Sequence, residues 1–260
     1  TNNLAHGGMS PTEFLPFSLT DVQPLSHDTA IYYFGLSSPS AKLNMPITSF
    51  IYAKADVDGE TVVRPYTPIS DLEGEMALVV KTYPNAKMGG AFARLSPGDT
   101  MLFKGPLKKY DYTPNEFDRV TLIAGGTGIT PMFQLMDAIA KNPEDKTKVH
   151  IIFGSRSSSD ILMKPLLDSV AYSYPEKVKI SYIIDRPEQG WTGLTGYITP
   201  EIITAVHGAP GNPRAKIFVC GPPPMMEAIC GPKGPNYTQG VLGNSVLGQM
   251  GYNESEVVKI

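Results

Sequence analysis

Cysteine is scarce in this chain: Cys220 and Cys230 are the only two in 260 residues, too few for a disulfide framework or a cysteine-ligated iron–sulfur cluster. The four histidines (His6, His27, His150 and His207) are scattered, so no bound metal is expected. A basic excess is also missing. The formal charge is −3, with 22 Lys and Arg against 25 Asp and Glu, which argues against nucleic acid as a principal partner. No apolar run approaches the roughly 20 residues that span a bilayer, and the N-terminus has no signal-like hydrophobic core, so a soluble chain is expected. Internal repeats, low-complexity tracts, a Ser/His/Asp arrangement and a paired-carboxylate site are absent too. What remains is a composition of 42% hydrophobic and 18% charged residues, with 13 Tyr and 10 Phe. That is the mix of a water-soluble globular protein, long enough for two domains with separate cores.

The chain reads in two halves. From Phe17 to about Gly105 the apolar residues form short alternating or β-branched runs separated by Pro, Gly, Asp and Asn clusters. The runs FSLTDVQPL, TAIYYFGL, TSFIYAKA, ETVVRPYTPI, EMALVVKTY and TMLFKG predict a six-stranded antiparallel β-barrel without an amphipathic helix. After a polar stretch from Lys108 to Asp118, strand-like runs alternate with helical ones. RVTLIA, KVHIIFG, KVKISYIID, KIFVCG and a closing EVVKI, with helices starting near Pro131, Ser159, Pro200 and Pro224, predict a doubly wound parallel α/β sheet. The expected division is a tail over 1–15, a barrel domain over 16–112 and an α/β domain over 113–260. The opening TNNLAHGGMS has no periodicity and reads equally as an added scar, a processed end or the remnant of a tether.

Strand Val120 to Ala124 runs into Gly125-Gly126-Thr127-Gly128-Ile129-Thr130-Pro131, followed by Met132, Leu135, Met136 and Ile139 at helical spacing. Glycines let the backbone approach a pyrophosphate, Thr130 is placed to cap the helix, Pro131 suits its first turn, and the free N–H groups favour an anion. The turn departs from G-x-G-x-x-G in carrying Pro131 at the third glycine, so a plain strand-to-helix turn satisfies the same pattern.

In Arg64-Pro65-Tyr66-Thr67-Pro68-Ile69-Ser70 two prolines cannot donate to a ladder, which places the segment at an edge or mouth. Arg64 and Tyr66 then project to one face, where a guanidinium can pair with a pyrophosphate and a phenol ring can lie against an isoalloxazine. Thr67 points the other way. An ordinary edge strand with an exposed arginine is the alternative. Cys220-Gly221-Pro222-Pro223-Pro224-Met225 follows a buried strand, which puts a thiol at the carboxyl edge of the parallel sheet, where doubly wound folds bind ligands. A small buried hydrophobe is the other reading of Cys220.

RPYTPIS, GGTGITPM and CGPPPM, in that order and spacing, resemble the NADH–cytochrome b5 reductase family of the ferredoxin-reductase superfamily, from about Phe17 to the C-terminus. DILMKPLLD, KIFVCG and SVLGQMGYNESEVVKI look closest to fungal members associated with mitochondria. The resemblance implies FAD on the barrel and NADH on the α/β domain. Arg64, Pro65, Tyr66 and Thr67 would hold FAD, with Thr67 near the flavin N5 and Val80, Lys81 and Tyr83 alongside. Lys81 would approach the nicotinamide. Lys87-Met88-Gly89 matches the family's diphosphate loop, though Gly89 stands where Ser or Thr is usual, and amides of Met88, Gly89 and Gly90 are the expected anion nest. On the nucleotide side the resemblance assigns Gly126, Thr127, Thr130, Pro131, Asp185, Cys220, Gly221, Pro222 and Met225. Cys220 would lie beside the nicotinamide without forming a covalent intermediate. Asp185 would accept the adenosine ribose hydroxyls and repel a 2′-phosphate, against which stands Arg156 in FGSRSSSD.

The implied reaction passes a hydride from NADH to FAD and then single electrons to cytochrome b5, with Thr67, Lys81 and Cys220 at the reacting centre. Lys87 and Lys141 match family lysines that steer the acidic haem protein, and Lys104, Lys108 and Lys109 either extend that patch or form a solvated face. The resemblance further implies a monomeric soluble catalytic part. Its tether, absent from the chain, would hold it at the mitochondrial outer membrane, in the intermembrane space or on the endoplasmic reticulum. The flavin domain of a larger enzyme such as nitrate reductase shares these motifs, and a non-enzymatic binding module that keeps the fold is the more distant rival.

Overall fold

A computed structural model of the protein describes residues 6–69, 72–232 and 242–260. Ser70 of the RPYTPIS segment and the first five residues of the expected tail lie outside the described residues. The chain divides into two compact units, one ending at Asp111 and the other spanning Tyr112–Ile260.

The first unit carries β1 (Leu15–Ser26), β2 (Thr29–Gly35), β3 (Ser49–Val57), β4 (Glu60–Tyr66), β5 (Glu75–Lys81), α1 (Lys87–Ala93) and β6 (Thr100–Lys108). The strands pair antiparallel in the order β4-β3-β6-β1-β2-β5. β1 serves two neighbours: Leu15–Ser18 pair with β6 and Leu19–Ser26 with β2, with a bulge between Leu19 and Asp21. Such a handover bends a sheet. Just beyond β4, Ile69 N–H donates to Ala77 O of β5 at 3.0 Å, so the two end strands meet and the six strands curl into the expected barrel.

The core fills with inward residues of each strand, among them Phe34, Ile51, Ala53, Met76, Leu78 and Phe103. The expectation of no helix here is corrected by α1. KMGGAFA is seven residues with two glycines, too short for a helical period to show. It forms because its apolar residues have somewhere to go. Met88 and Phe92 are buried, and the Phe92 ring meets Tyr32 at 5.1 Å, Tyr66 at 5.2 Å and Phe34 at 6.2 Å, all edge-on. The stretch set apart as a tail is partly packed: Met9 is fully buried, and Ser10 O accepts from Gly105 N–H at 2.9 Å, while residues 11–13 are exposed.

The second unit carries β7 (Arg119–Gly125), α2 (Ile129–Lys141), β8 (Lys148–Ser155), α3 (Lys164–Ser173), β9 (Val178–Ile184), β10 (Leu194–Thr195), α4 (Pro200–His207), β11 (Ala215–Cys220), α5 (Pro223–Cys230), α6 (Val246–Gln249) and β12 (Val257–Lys259). All its strand pairs are parallel, in the order β10-β9-β8-β7-β11-β12. The helix expected near Ser159 starts at Lys164, because Ser158–Asp160 form a 3-10 turn and Met163 takes a left-handed φ of 58° before the helix can begin. Central strands are buried on both faces, as in β7, where Val120 to Gly125 are all buried. Lys177, in the connection between α3 and β9, secures the end of α2, donating to Ile139 O at 3.2 Å and Asn142 O at 2.7 Å.

Candidate functional sites

Strand order in the second unit reverses at β7. From β7 the chain moves outward through β8, β9 and β10, then returns to the other side of β7 with β11 and β12. The gap beyond the carboxyl ends of β7 and β11 is therefore the switch point, the place where open α/β sheets bind ligands. β7 ends at Gly125, a 3-10 turn covers Gly126–Gly128, and β11 ends at Cys220.

These two ends are fitted together closely. A Cβ on Gly128 would come 2.2 Å from Cys220 O, and one on Gly125 would come 2.3 Å from Met225 Sδ. Gly126 has a φ of 52°. Glycine is thus required for contact at two positions and suits the left-handed backbone at a third. Thr130 does not cap α2 as expected. Gly128 occupies the cap position, and Thr130, buried inside the first turn, donates its hydroxyl back to Thr127 O at 3.1 Å. Pro131 is buried in that first turn, and Thr127 is half-buried in the glycine turn. On the β11 side Gly221, Pro222 and Met225 are half-buried, and Cys220 is likewise only partly covered. Prolines 222–224 lack N–H groups, and at the start of α2 Ile129 N–H is committed to Gly126 O and Thr127 O and Pro131 has none, so amide donors come from the Gly126–Gly128 turn rather than from α5.

At the carboxyl ends of β8 and β9, Ser155 Oγ and Asp185 Oδ1 are buried without a hydrogen-bond partner among the described residues, while Asp185 N–H donates to Ser155 O at 3.2 Å. Two orphaned polar oxygens on residues joined by a backbone hydrogen bond are costly unless a ligand satisfies them. A hydroxyl-bearing sugar fits this need. Ser155 went unnoticed in the sequence, although its place at a carboxyl strand end could have flagged it.

In the first unit Arg64 is exposed on β4, its Nη1 donating to Val63 O at 2.8 Å, and Pro65 is exposed beside it. Tyr66 is half-buried with its hydroxyl pKa raised by burial, and Thr67 is buried. Val80 has its side chain in the barrel core, which leaves only its backbone for a ligand, whereas Tyr83 is exposed. Lys81 closes β5 opposite Thr29 of β2 and places Nζ 2.9 Å from Asp28 Oδ2. Burial alone would raise the Asp28 pKa. Hydrogen bonds from Lys81, Thr29 and Ser26 and the lysine's charge outweigh it and hold the carboxyl below its usual range. Sequence reasoning missed Asp28, since only strand register brings residues 28 and 81 together.

The diphosphate segment is the start of α1. Gly90 N–H is already committed to Ala86 O at 2.8 Å, so the nest is corrected: the free first-turn amides are those of Lys87, Met88 and Gly89. Met88 is buried, and the exposed Lys87 pairs with Glu60. A Cβ on Gly89 would lie 3.2 Å from Thr82 Cα, so the helix start presses against the chain leaving β5. A side chain there would need Thr82 to give by a few tenths of an ångström. An exposed guanidinium and the amide row match a flavin nucleotide's phosphates.

An antiparallel barrel with an anion-ready helix start, joined to a doubly wound sheet whose glycine turn sits at the switch point, defines a flavin- and pyridine-nucleotide-dependent oxidoreductase. Residues 16–112 match the oxidoreductase FAD-binding domain family, and residues 122–231 the oxidoreductase NAD-binding domain family. The chain is 40% identical to NADH-cytochrome b5 reductase 2 of Kluyveromyces lactis, over 99% of this chain and 88% of that protein. It is 42% identical to an NADH-cytochrome b5 reductase-like protein of Arabidopsis thaliana, over 96% of this chain and 78% of that one. Among solved structures it is similar to the cytochrome b5 reductase domain of Ulva prolifera nitrate reductase, with 31% identity, a TM-score of 0.83 and coverage of 97% of this chain and 99% of that domain. The chain belongs to the NADH–cytochrome b5 reductase family. It is an NADH-dependent oxidoreductase with FAD as its second cofactor. No helix among the described residues is long and apolar enough to cross a membrane.

Proposed function

We propose that the chain carries electrons from NADH through FAD to cytochrome b5. The observation that supports this most is the Gly126–Gly128 turn seated against Cys220 at the reversal of strand order. FAD, when bound, accepts a hydride from NADH and passes electrons on singly. In this reading Arg64 and the amides of Lys87, Met88 and Gly89 bind the flavin pyrophosphate. The backbone of Pro65 and Val80, with Tyr66, Thr67 and Tyr83, border the rest of the cofactor. Gly126, Thr127, Thr130 and Pro131 seat the NADH phosphates, Asp185 takes the ribose hydroxyls, and Gly221, Pro222 and Met225 support Cys220 beside the nicotinamide. Thr67, Lys81 and Cys220 are the residues at the reacting centre. Their task is orientation and exclusion of water, since the cofactors supply the chemistry.

Lys87 and Lys141 would steer the acidic haem protein. Each already has a local carboxylate, Glu60 for Lys87 and Asp137 at 2.7 Å for Lys141, so their net field is weaker than two bare charges would give. The compartment would be the mitochondrial outer membrane, the intermembrane space or the surface of the endoplasmic reticulum, with the chain acting as a monomer. A flavin unit of a larger reductase is the second reading, favoured by the similarity to the nitrate reductase domain.

An anaerobic visible spectrum of the purified protein, titrated separately with NADH and NADPH and then mixed with oxidised cytochrome b5, tests the proposal. Bleaching of the flavin bands by NADH in preference to NADPH, followed by rapid haem reduction, is expected. A colourless protein, or one whose bands NADH leaves unchanged, would overturn it. Bleaching without haem reduction would favour the larger-reductase reading.

A further inference from the structure

The solvent side of the barrel departs from the polar-out order usual for an antiparallel sheet with one wet face. On β3 the outward residues Phe50, Tyr52 and Lys54, each half-buried, and the exposed Asp56 alternate with the buried Ile51, Ala53 and Val57. Cross-strand pairing extends two of these into rows. Tyr52 stands between Pro65 of β4 and Lys104 of β6, and Lys54 stands between Val63 and Leu102, with Pro16 of β1 beyond Leu102. Polar order returns only one row further on, where Asp56 pairs with Thr61 and accepts its hydroxyl at 2.5 Å, and Ser18 pairs with Thr100. The two rows above carry apolar side chains, prolines and two cations, and no carboxylate.

Rings fix those cations in place. Lys104 Nζ lies 4.9 Å from the Phe14 ring centre and 5.7 Å from that of Tyr52, while Lys54 Nζ lies 5.6 Å from Phe14. Phe50 and Tyr52 meet edge-on at 5.1 Å. The lysine stems lie along apolar surface and their heads are held by ring faces rather than by acids.

We propose that this face is a peripheral docking surface for an anionic lipid bilayer. Its charge is complementary to such a surface despite the chain's overall −3. Phenyl and phenol rings interleaved with lysines are the composition that settles at the level of lipid headgroups. Size separates this occupant from a protein. Four strands by four residues make a patch of roughly 14 by 13 Å, about 200 Å², against about 800 Å² per partner in a stable protein interface. A bilayer has no such lower bound. Each lysine at an anionic surface strengthens partitioning about fivefold, and two about 30-fold. That is enough to orient the protein and too little to anchor it alone.

Sedimentation of the FAD-loaded protein with phosphatidylcholine vesicles, with and without phosphatidylserine, tests the assignment. Binding that needs phosphatidylserine and fades with added salt is expected. The Lys54→Gln/Lys104→Gln variant should lose about 30-fold in partitioning, and Tyr52→Ser should also lose binding. A Lys42→Gln/Lys179→Gln control, with the same change in charge, should keep it. Melting curves and NADH–ferricyanide activity equal to the parent establish that the variants are folded. Equal binding by the two double variants, or no dependence on phosphatidylserine, overturns the proposal. So does unchanged vesicle binding combined with slower reduction of cytochrome b5, which would give the face to a protein partner.

Discussion

Lys81 Nζ and Asp28 Oδ2 are 2.9 Å apart, with side chains only 10% and 21% exposed. β5 and β2 bring them together through the Thr29–Lys81 pair, so the ion pair is a product of register. Removing one partner leaves a poorly solvated charge on the other.

Asp28→Asn is expected to destabilise the protein by about 1–2 kcal/mol, the buried-pair cost reduced for partial solvent access. The Asp28 carboxyl is depressed on folding, so its stabilisation is present above the unfolded carboxylate range and is lost as pH falls below about 4. Urea midpoints of parent and variant should therefore differ at neutral pH and converge in acid. If Lys81 acts at the nicotinamide, the NADH KM should rise as well.

Gly128→Ala places a methyl group 2.2 Å from a backbone oxygen, where no side-chain rotation relieves the contact. A protein that stays yellow yet is no longer bleached by NADH is expected. Gly125→Ala should be milder, because the facing atom is the thioether of a flexible methionine.

Asp185→Ser should narrow the preference for NADH over NADPH by tenfold or more in kcat/KM, since about 1.4 kcal/mol of discrimination is a factor of ten. Unchanged selectivity would assign the orphaned oxygens at Ser155 and Asp185 to some other role.

His207 is buried against Thr121 and Tyr252, with Nδ1 2.9 Å from Thr121 Oγ1. Burial, helped by the nearby Arg119 charge, lowers its pKa to about 4. A folded pKa below the unfolded one means full stability above about pH 6.5 and a progressive loss down to pH 4. The loss sums to about 3 kcal/mol. Chemical denaturation across that range should show the loss, and His207→Asn, though less stable at pH 7, should show a flatter profile.

Charge reversal at Lys141, which touches neither cofactor site, should lower the rate with cytochrome b5 several-fold at low ionic strength and much less at high salt, leaving the NADH–ferricyanide rate near the parent value, whereas reversal at Lys87, at the start of α1, should lower both rates. Stopped-flow haem reduction over a salt series checks this.

Much of the fold was legible because periodicity is a local property. The six barrel strands, the parallel sheet and the glycine turn each announce themselves within a dozen residues. What stayed hidden depends on distant partners. α1 has no period of its own and exists because Phe92 finds three rings on other strands. Asp28 acquires meaning only from its register with Lys81. Thr130 has the residue type of a cap but sits two residues too deep, after a 3-10 turn that no sequence rule supplied. The tight approach of Gly89 to Thr82 likewise shows only in the fold.

The Phe92 ring has one further effect. The amides of Lys87, Met88 and Gly89 belong to the same short helix that plants this ring among Tyr32, Phe34 and Tyr66. Whatever molecule those amides grip is thereby wired to the melting of the barrel. Prosthetic-group affinity and heat tolerance in this half of the protein should rise and fall together along any series of variants.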